Sequence, residues 1–227
     1  AQAISLSVSA DGSWMATSAG RGIRIWDAQS GDEVFVSQNS VHLDDVQATT
    51  FSVDGSRFAS GDRSGNVVIW DTSTWTVLRK WRIHDRELWS AIDALAFSPD
   101  GLHLASCGDR LVKIWTVDSA TLVHRLRGHH SSVHSLQYLA DGKRLISAGF
   151  QDIIIWDAVL GTELLTLKSP YDKELNHLAY SPTEENLYVA GFESDAEDPR
   201  GHFGFWTLPT DQQIDEWAKE DSDDAKL

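Results

Sequence analysis

One short segment recurs along this chain: an apolar run that ends in tryptophan, followed by a polar turn and a second apolar segment. Its clearest copy is GNVVIWDTSTWTVLRKW, residues 65–81. The tryptophan lies at Trp26, Trp70, Trp115, Trp156 and Trp206, in steps of 44, 45, 41 and 50 residues. Periods of roughly 20 to 50 residues are typical of repeat architectures. A repeat protein is therefore the first expectation for this chain.

Each repeat predicts four β-strands. The first is an alternating segment that ends at Asp-Gly or a similar turn, and its copies begin at Ala3, Val46, Ile92, Val133 and Leu175. Alternation of period two between turn residues indicates a strand. A second strand follows the turn, the tryptophan-bearing run is the third, and the fourth carries apolar residues eight and eleven positions after the tryptophan. These pairs are Leu78 and Trp81, Val123 and Leu126, Leu164 and Leu167, and Ile214 and Trp217.

Four short strands with no covering helix cannot form a stable sheet alone. They must stack on the strands of neighbouring repeats, and radial stacking of four-stranded blades gives a β-propeller. The fold class expected here is therefore all-β, a propeller with five repeats.

Composition restricts the function. With 19 basic and 34 acidic residues the net charge is -15, which argues against nucleic-acid binding because phosphate contacts need clustered Lys and Arg. The single cysteine, Cys107, can form no disulfide within the chain, which favours a reducing, cytoplasmic or nuclear location. No apolar run reaches the ~18 residues of a membrane span and no signal-peptide pattern is seen, so neither secretion nor a membrane span is expected.

The repeats resemble the WD-repeat (WD40) family. The resemblance rests on Trp-Asp pairs at residues 26–27, 70–71 and 156–157 and on Gly128-His129 before the fourth repeat. It implies repeats over about 3–41, 42–83, 84–128, 129–170 and 171–217, forming one domain over 1–217. Residues 218–227 are expected to be an acidic, disordered tail.

Family propellers usually have seven blades, and the chain begins inside a repeat without an initiator Met. We therefore expect it to be part of a longer protein with about two further repeats upstream and further domains in the same chain. A closed ring of five blades is the alternative.

The resemblance also implies a hydrogen-bonded set of His, Ser or Thr, Asp and Trp within a blade. All four roles are matched in the third repeat, by His84, Ser106, Asp109 and Trp115. Two other repeats match three roles, with His42, Ser60 and Trp70 in one and His129, Ser147 and Trp156 in the other. In the latter, Phe150 occupies the expected position of the Asp.

Partner contacts are expected on one face of the propeller, as in the family. By transfer of positions, the residues that rim its central opening there include Gln47, Asp93, His134 and Asn176. Arg63 and Arg110 occupy loops on the same face and could pair with an acidic group. Trp89 lies in an insertion, residues 86–89, and is either an interface anchor or a local packing residue. A solvated rim without a ligand is the alternative for the whole face.

No catalytic, metal or cofactor site is predicted. The chain has no Gly-rich phosphate loop, GxSxG, HExxH or paired CxxC motif. His129, His130 and His134 are near one another in sequence, but His129 belongs to the hydrogen-bonded set and strand geometry places residues 133 and 134 on opposite faces. Cys107 is expected on a buried strand, where a thiol is inert.

A non-catalytic interaction scaffold or sensor that binds a protein or peptide is therefore the expected function. One specific form of it is the C-terminal sensor domain of a nucleotide-switch receptor of the STAND or NACHT type. A reader of basic peptides is another alternative, because the chain is acidic. An enzyme built on the propeller would need Asp93 and His134 as its acid–base groups and is the least favoured class.

Overall fold

The computed structural model describes residues 5–38, 40–83, 91–150, 152–168, 174–181, 186–192 and 201–207. Within these ranges the regular secondary structure consists of β-strands, and no helix is long and apolar enough to cross a membrane. The strands form five antiparallel sheets in chain order, numbered here as sheets one to five.

Sheets one to four each contain four consecutive strands that pair in the order of the chain. Sheet one comprises β1 (Ser5–Val8), β2 (Trp14–Ala19), β3 (Gly22–Asp27) and β4 (Glu33–Val36). Sheet two comprises β5 (Val46–Phe51), β6 (Arg57–Asp62), β7 (Asn66–Asp71) and β8 (Val77–Arg82). Sheet three comprises β9 (Ala94–Phe97), β10 (His103–Gly108), β11 (Leu111–Thr116) and β12 (Leu122–Arg127).

Sheet four comprises β13 (Val133–Tyr138), β14 (Arg144–Gly149), β15 (Asp152–Asp157) and β16 (Thr162–Lys168). Sheet five comprises β17 (Glu174–Ser181), β18 (Asn186–Phe192) and β19 (Gly201–Thr207). The all-β prediction of four-stranded repeats is confirmed for sheets one to four. The fourth strand expected in the last repeat, and the tail 218–227, lie outside the described residues.

The turn between the first and second strands is held by a short polar contact. Ser9 Oγ donates to the Asp11 carboxylate at 2.6 Å, and Ser52 and Ser98 make the same bond to Asp54 and Asp100 at 2.6 and 2.5 Å. Hydrogen bonds from Ser9 and from the Ser13 backbone lower the pKa of Asp11 to about 2. The recurring Ser-x-Asp-Gly sequence thus fixes the first hairpin of sheets one, two and three in the same way.

The core lies between the sheets. The face that carries the third-strand tryptophan, called here the Trp face, packs against the preceding sheet. Trp70 lies against Ile23 and Ile25 of sheet one, and Trp115 lies in a cluster with Ile69 of sheet two. Trp156 likewise packs with Ile114 of sheet three. The first strands contact one another in sequence, β1 with β5, β5 with β9, β9 with β13 and β13 with β17.

The fourth strands are the outer edges of the sheets, and in sheets two and three the first of their two recurring apolar positions is exposed, whereas in sheet four both are half-buried. Leu126 is 1% exposed, whereas Leu78 and Val123 are 52% and 40% exposed. The reason is a register shift beside the tryptophan, between Ile69 and Trp70 and between Ile114 and Trp115, which changes the alternation at the start of the strand.

Candidate functional site: a polar pocket across three sheets

In sheet two, a buried polar set connects the loop before the first strand to the third strand. His42 Nε2 lies 2.7 Å from Ser60 Oγ, and Trp70 Nε1 donates to the same Ser60 oxygen at 2.9 Å. On the other side of the ring, His42 Nδ1 lies 3.2 Å from the Asp62 carboxylate. Burial alone would raise the pKa of Asp62, but hydrogen bonds from His42 and Asn66 outweigh it and lower the pKa. The set holds the loop rigidly.

Sheet four repeats this arrangement. His129 Nε2 lies 2.6 Å from Ser147 Oγ, Trp156 Nε1 donates to Ser147 at 2.8 Å, and His129 Nδ1 lies 2.5 Å from Asp152. Burial lowers the pKa of His129, and the neighbouring Asp152 opposes that shift only in part.

The prediction that Phe150 takes the place of the acid in this repeat is wrong, because Asp152 fills it. The acid comes from the end of β6 in sheet two (Asp62) but from the start of β15 in sheet four (Asp152). Counting a fixed number of residues from the serine misses both, since the loops between the second and third strands differ in conformation.

Sheet three departs from the predicted set. Trp115 Nε1 donates to Ser106 at 3.2 Å, but the Asp109 side chain is 51% exposed and its carboxylate lies 3.8 Å from Arg110. Contrary to the prediction from the sequence, Asp109 therefore does not occupy a position like those of Asp62 and Asp152; with a φ of 55° it lies in the left-handed turn after β10. His84 lies outside the described residues. The buried Lys113 donates instead to the Ile83 carbonyl at 2.6 Å.

A pocket of about 450 Å³ lies where the first strands of sheets two, three and four begin. Three of the residues that the sequence assigns to a partner-binding face line it, Gln47, Arg63 and Asp93. A fourth, His134, borders it through Asp93, with its Nδ1 3.9 Å from that carboxylate. Among the described residues the lining also includes Ala91, Asp109 and Ser132.

Backbone hydrogen bonds position this lining. The Arg63 amide donates to the Asp45 carbonyl, the Asp93 amide donates to Cys107, and Val133, next to Ser132, donates to Asp109, at 2.9, 2.9 and 2.7 Å. Each bond joins the end of a second strand to the loop or first strand beside it. The polar side chains of the pocket are thus mounted on backbone that is already fixed.

Ala91 and Ser132 were missed by sequence reasoning, and Asp109 was assigned a different role. Ala91 and Ser132 each stand directly before a residue at which the sequence predicts a first strand to begin, Ile92 or Val133. Asp109 follows the last residue of β10, as Arg63 follows that of β6. Their positions at the ends of strands are the feature of the sequence from which their place at the pocket could have been predicted.

The pocket carries two carboxylates and one guanidinium. Burial raises the pKa of Asp93, His134 opposes this, and the charge of Asp109 adds to it. A desolvated carboxylate favours a cationic or hydrogen-bond-donating group beside it. The arrangement therefore suits a polar or basic side chain better than an anion.

The other predicted residues stand apart from the pocket or outside the description. Arg110 is exposed and borders it only through Asp109. The side chain of Asn176, in β17, lies outside the described residues, as does Trp89. Among the described side chains no three His, Cys, Asp or Glu residues are grouped as metal ligands would be.

Cys107 is held as a structural thiol. It is fully buried on β10, and its Sγ lies 3.2 Å from the Val133 carbonyl, to which it donates. Burial raises the pKa of the thiol well above its ordinary value, and Asp93 adds to the shift. A buried thiol whose pKa is raised is a poor nucleophile.

Comparison with protein families gives one match. The model of the WD40 family, described as "WD domain, G-beta repeat", matches residues 2–27, 34–71, 75–116 and 120–157. These ranges cover the strands of sheets one to three, apart from Glu33 at the start of β4, and the first three strands of sheet four.

Similar curated proteins include Protein groucho of Drosophila melanogaster, 28% identical over 77% of this chain and 24% of its own length. They also include the Intraflagellar transport protein 122 homologs of Danio rerio and Xenopus tropicalis, 30% and 29% identical over 56% of this chain and 10% of theirs. The chain thus spans from about a tenth to a quarter of the length of these relatives.

Proposed function

Because the chain belongs to the WD40 family of repeat proteins, we propose that it is a non-catalytic module that binds a partner protein or peptide. The observation that carries the proposal is the pocket, in which Gln47, Asp93 and Ser132 come from three consecutive sheets. Their loops are already fixed by backbone hydrogen bonds, so little conformational entropy remains to be lost when a partner docks. A location in the cytoplasm or nucleus forms part of the proposal.

Affinity purification of the full-length protein tests this function. The double variant Gln47→Ala/Asp93→Asn changes the pocket, and Val53→Ala/Leu102→Ala changes exposed turn residues at the opposite ends of the strands. We expect a protein that is recovered with the wild type and the control but not with the pocket variant. The same recovered proteins with both variants, each shown to melt like the wild type, would contradict the proposal.

A reader of basic peptides is the second candidate, and the pair of Asp93 and Asp109 favours it. A lysine or arginine side chain beside Asp93 would offset the desolvation that raises its pKa. The positive charge of Arg63 at the pocket repels such a ligand, so the attraction to the two carboxylates must exceed this repulsion.

Fluorescence anisotropy with a labelled lysine-rich peptide tests this candidate. Binding should weaken steeply between about 50 and about 300 mM salt, because surface charges are screened over shorter distances at higher ionic strength. It should also weaken on Asp93→Asn, but not on Asp32→Asn, which removes one exposed carboxylate far from the pocket in the chain. Absent or salt-insensitive binding would exclude the candidate.

We also propose that the five sheets belong to a larger ring of about seven blades. The support is the Trp face of sheet one, where Leu6 and Val8 are 63% and 54% exposed, although the Trp faces of sheets two to four are covered by a preceding sheet. A role as the sensor domain of a nucleotide-switch receptor is one form of this proposal. The gene upstream tests it: a P-loop would support the receptor, and a second propeller half would support only the ring.

A further inference from the structure

Positive charge is concentrated in the groove between the outer strands of sheets two and three. Arg79 lies on β8, Arg125 and Arg127 lie on β12, and all three side chains are exposed. This is unusual for a chain with 34 acidic and 19 basic residues.

Strand register places the β8 residues on the side that faces sheet three. Arg79 pairs with Ile69 and Trp81 pairs with Val67. Ile69 and Val67 belong to the core between sheets two and three, and Trp81 packs against the same cluster. Because paired residues of neighbouring strands share a face, Arg79 points to the groove.

The β12 arginines lie on the opposite wall. Arg125 pairs with Lys113, and Lys113 Nζ reaches across to the Ile83 carbonyl, one residue after β8. Arg127 pairs with Leu111, two residues before Lys113, and therefore shares its face. Both walls of the groove are thus basic.

The side chains interleave along the groove. Each of these side chains can be placed by its partner on the third strand, counted back from the tryptophan of that strand. The partners lie one, two, three and four residues before the tryptophan for Arg79, Arg125, Trp81 and Arg127 respectively. At about 3.3 Å per residue these four levels span roughly 10 Å. Alternate side chains of an extended peptide are about 6.6 Å apart, so two of them fit within this length.

Among the described residues these three arginines form no ion pair, in contrast to Arg24 with Glu33, Arg57 with Asp118 and Arg144 with Asp141. In the neighbouring groove between sheets one and two, Lys80 Nζ is already engaged by the Val41 carbonyl. Trp81 is a second indication of a binding site. Its Nε1 is the one buried side-chain nitrogen or oxygen of the described residues without a hydrogen-bond partner.

We propose that this groove, defined by Arg79, Trp81, Arg125 and Arg127, binds an extended acidic segment of a partner protein. Carboxylates spaced along a strand would pair with the arginines, and tryptophan and arginine are the residues that contribute most to binding hot spots. The net negative charge of the chain does not prevent this, since charges beyond about 8 Å are screened at physiological salt. The groove is separate from the pocket, so a partner could occupy both.

Anisotropy with a fluorescein-labelled peptide of about eight residues, Glu alternating with Thr, tests the proposal on the purified chain. Binding should weaken about tenfold for Arg79→Gln/Arg125→Gln, which removes two ion pairs. The matched control Arg21→Gln/Lys143→Gln removes the same charge from exposed turns of sheets one and four and should bind like the wild type. A peptide with Gln in place of Glu should not bind.

Equal weakening by the two double variants would show only general attraction and overturn the proposal. Failure of the wild type to bind the Glu peptide would also overturn it. So would a loss of binding in Gln47→Ala/Asp93→Asn as large as that in the groove variant, because the peptide would then occupy the pocket. Unchanged melting of every variant shows that the differences arise at the surface.

Discussion

At the scale of single residues, Ser60 connects the polar set of sheet two. Its hydroxyl is buried and contacts both His42 and Trp70. Ser60→Ala leaves two buried nitrogens without a partner and should lower the free energy of unfolding by about 3 kcal/mol. Ser73→Ala, at an exposed hydroxyl bound only to Asp71, should cost less than about 0.5 kcal/mol. Urea denaturation measures both, and equal losses would contradict the role of Ser60.

His129 predicts how stability depends on pH. Burial lowers its pKa in the folded chain, so the unfolded chain binds the proton first, at about pH 6.5. Stability is therefore full above that pH and is lost as the pH falls toward the lower folded pKa.

The urea midpoint should fall between about pH 7.5 and about pH 5.5, and less so in His129→Asn. The neighbouring His130, 87% exposed, provides the control: His130→Asn should keep most of the fall. A fall of the same size in both variants would exclude His129 as its source.

The polar sets also show where sequence reasoning ends at this scale. Ser60, Ser147 and their tryptophans could be predicted because they occupy fixed positions in strands. Asp62 and Asp152 could not, because they lie at opposite ends of the loop between the second and third strands. An acid at either end of this loop reaches the histidine Nδ1. Asp109 matched the expected offset and is exposed, since the backbone turns it outward.

At the scale of strands, the contact between Gly61 and Ile92 sets how closely sheets two and three approach. A Cβ added at Gly61 would lie 2.6 Å from Ile92 Cγ2, so Gly61→Ala should cost about 1–3 kcal/mol through overpacking. In an Ile92→Ala background the same change should cost less, because Cγ2 and Cδ1 of Ile92 are gone and only its Cβ, 2.9 Å from the added carbon, remains close. A double-mutant cycle by urea denaturation tests this, and additive losses would contradict it.

Strands were the most predictable elements, because alternation and Ser-x-Asp-Gly turns are local signals. The burial pattern of β8 and β12 was less so. A register shift beside the tryptophan of each sheet exposes Leu78 and Val123. The pattern of apolar residues in the sequence does not predict this shift. The basic groove is formed by the same two strands. Its arginines come from two different sheets, so no local pattern in the sequence indicates it.

At the scale of the whole molecule, the exposed Trp face of sheet one predicts that a further blade packs on it in the full-length protein. Leu6→Ser/Val8→Ser should change the free energy of unfolding of residues 1–227 by less than about 0.5 kcal/mol. In the full-length protein it should cost about 2–4 kcal/mol, since a further blade would bury both side chains. Denaturation of the two proteins tests this, with Val53→Ser/Leu102→Ser as the control. Equal small effects in both would mean that the face stays uncovered.

The partner could not be predicted at any scale, because one fold supports many interactions. The repeats determine the scaffold, and recognition lies where the repeats differ. Gln47, Asp93 and His134 occupy equivalent positions and yet differ in chemistry, so the geometry of the pocket carries more information than any motif in the chain.

Site-specific photo-crosslinking in cells tests the central claim most directly, that a partner docks at the pocket. A photoreactive residue in place of Gln47 in the full-length protein should crosslink to one partner, and Asp93→Asn should abolish that product. The same residue in place of Val53, exposed in the turn after β5, should give no such product. Crosslinks of equal yield at both positions, or none at position 47, would contradict the account.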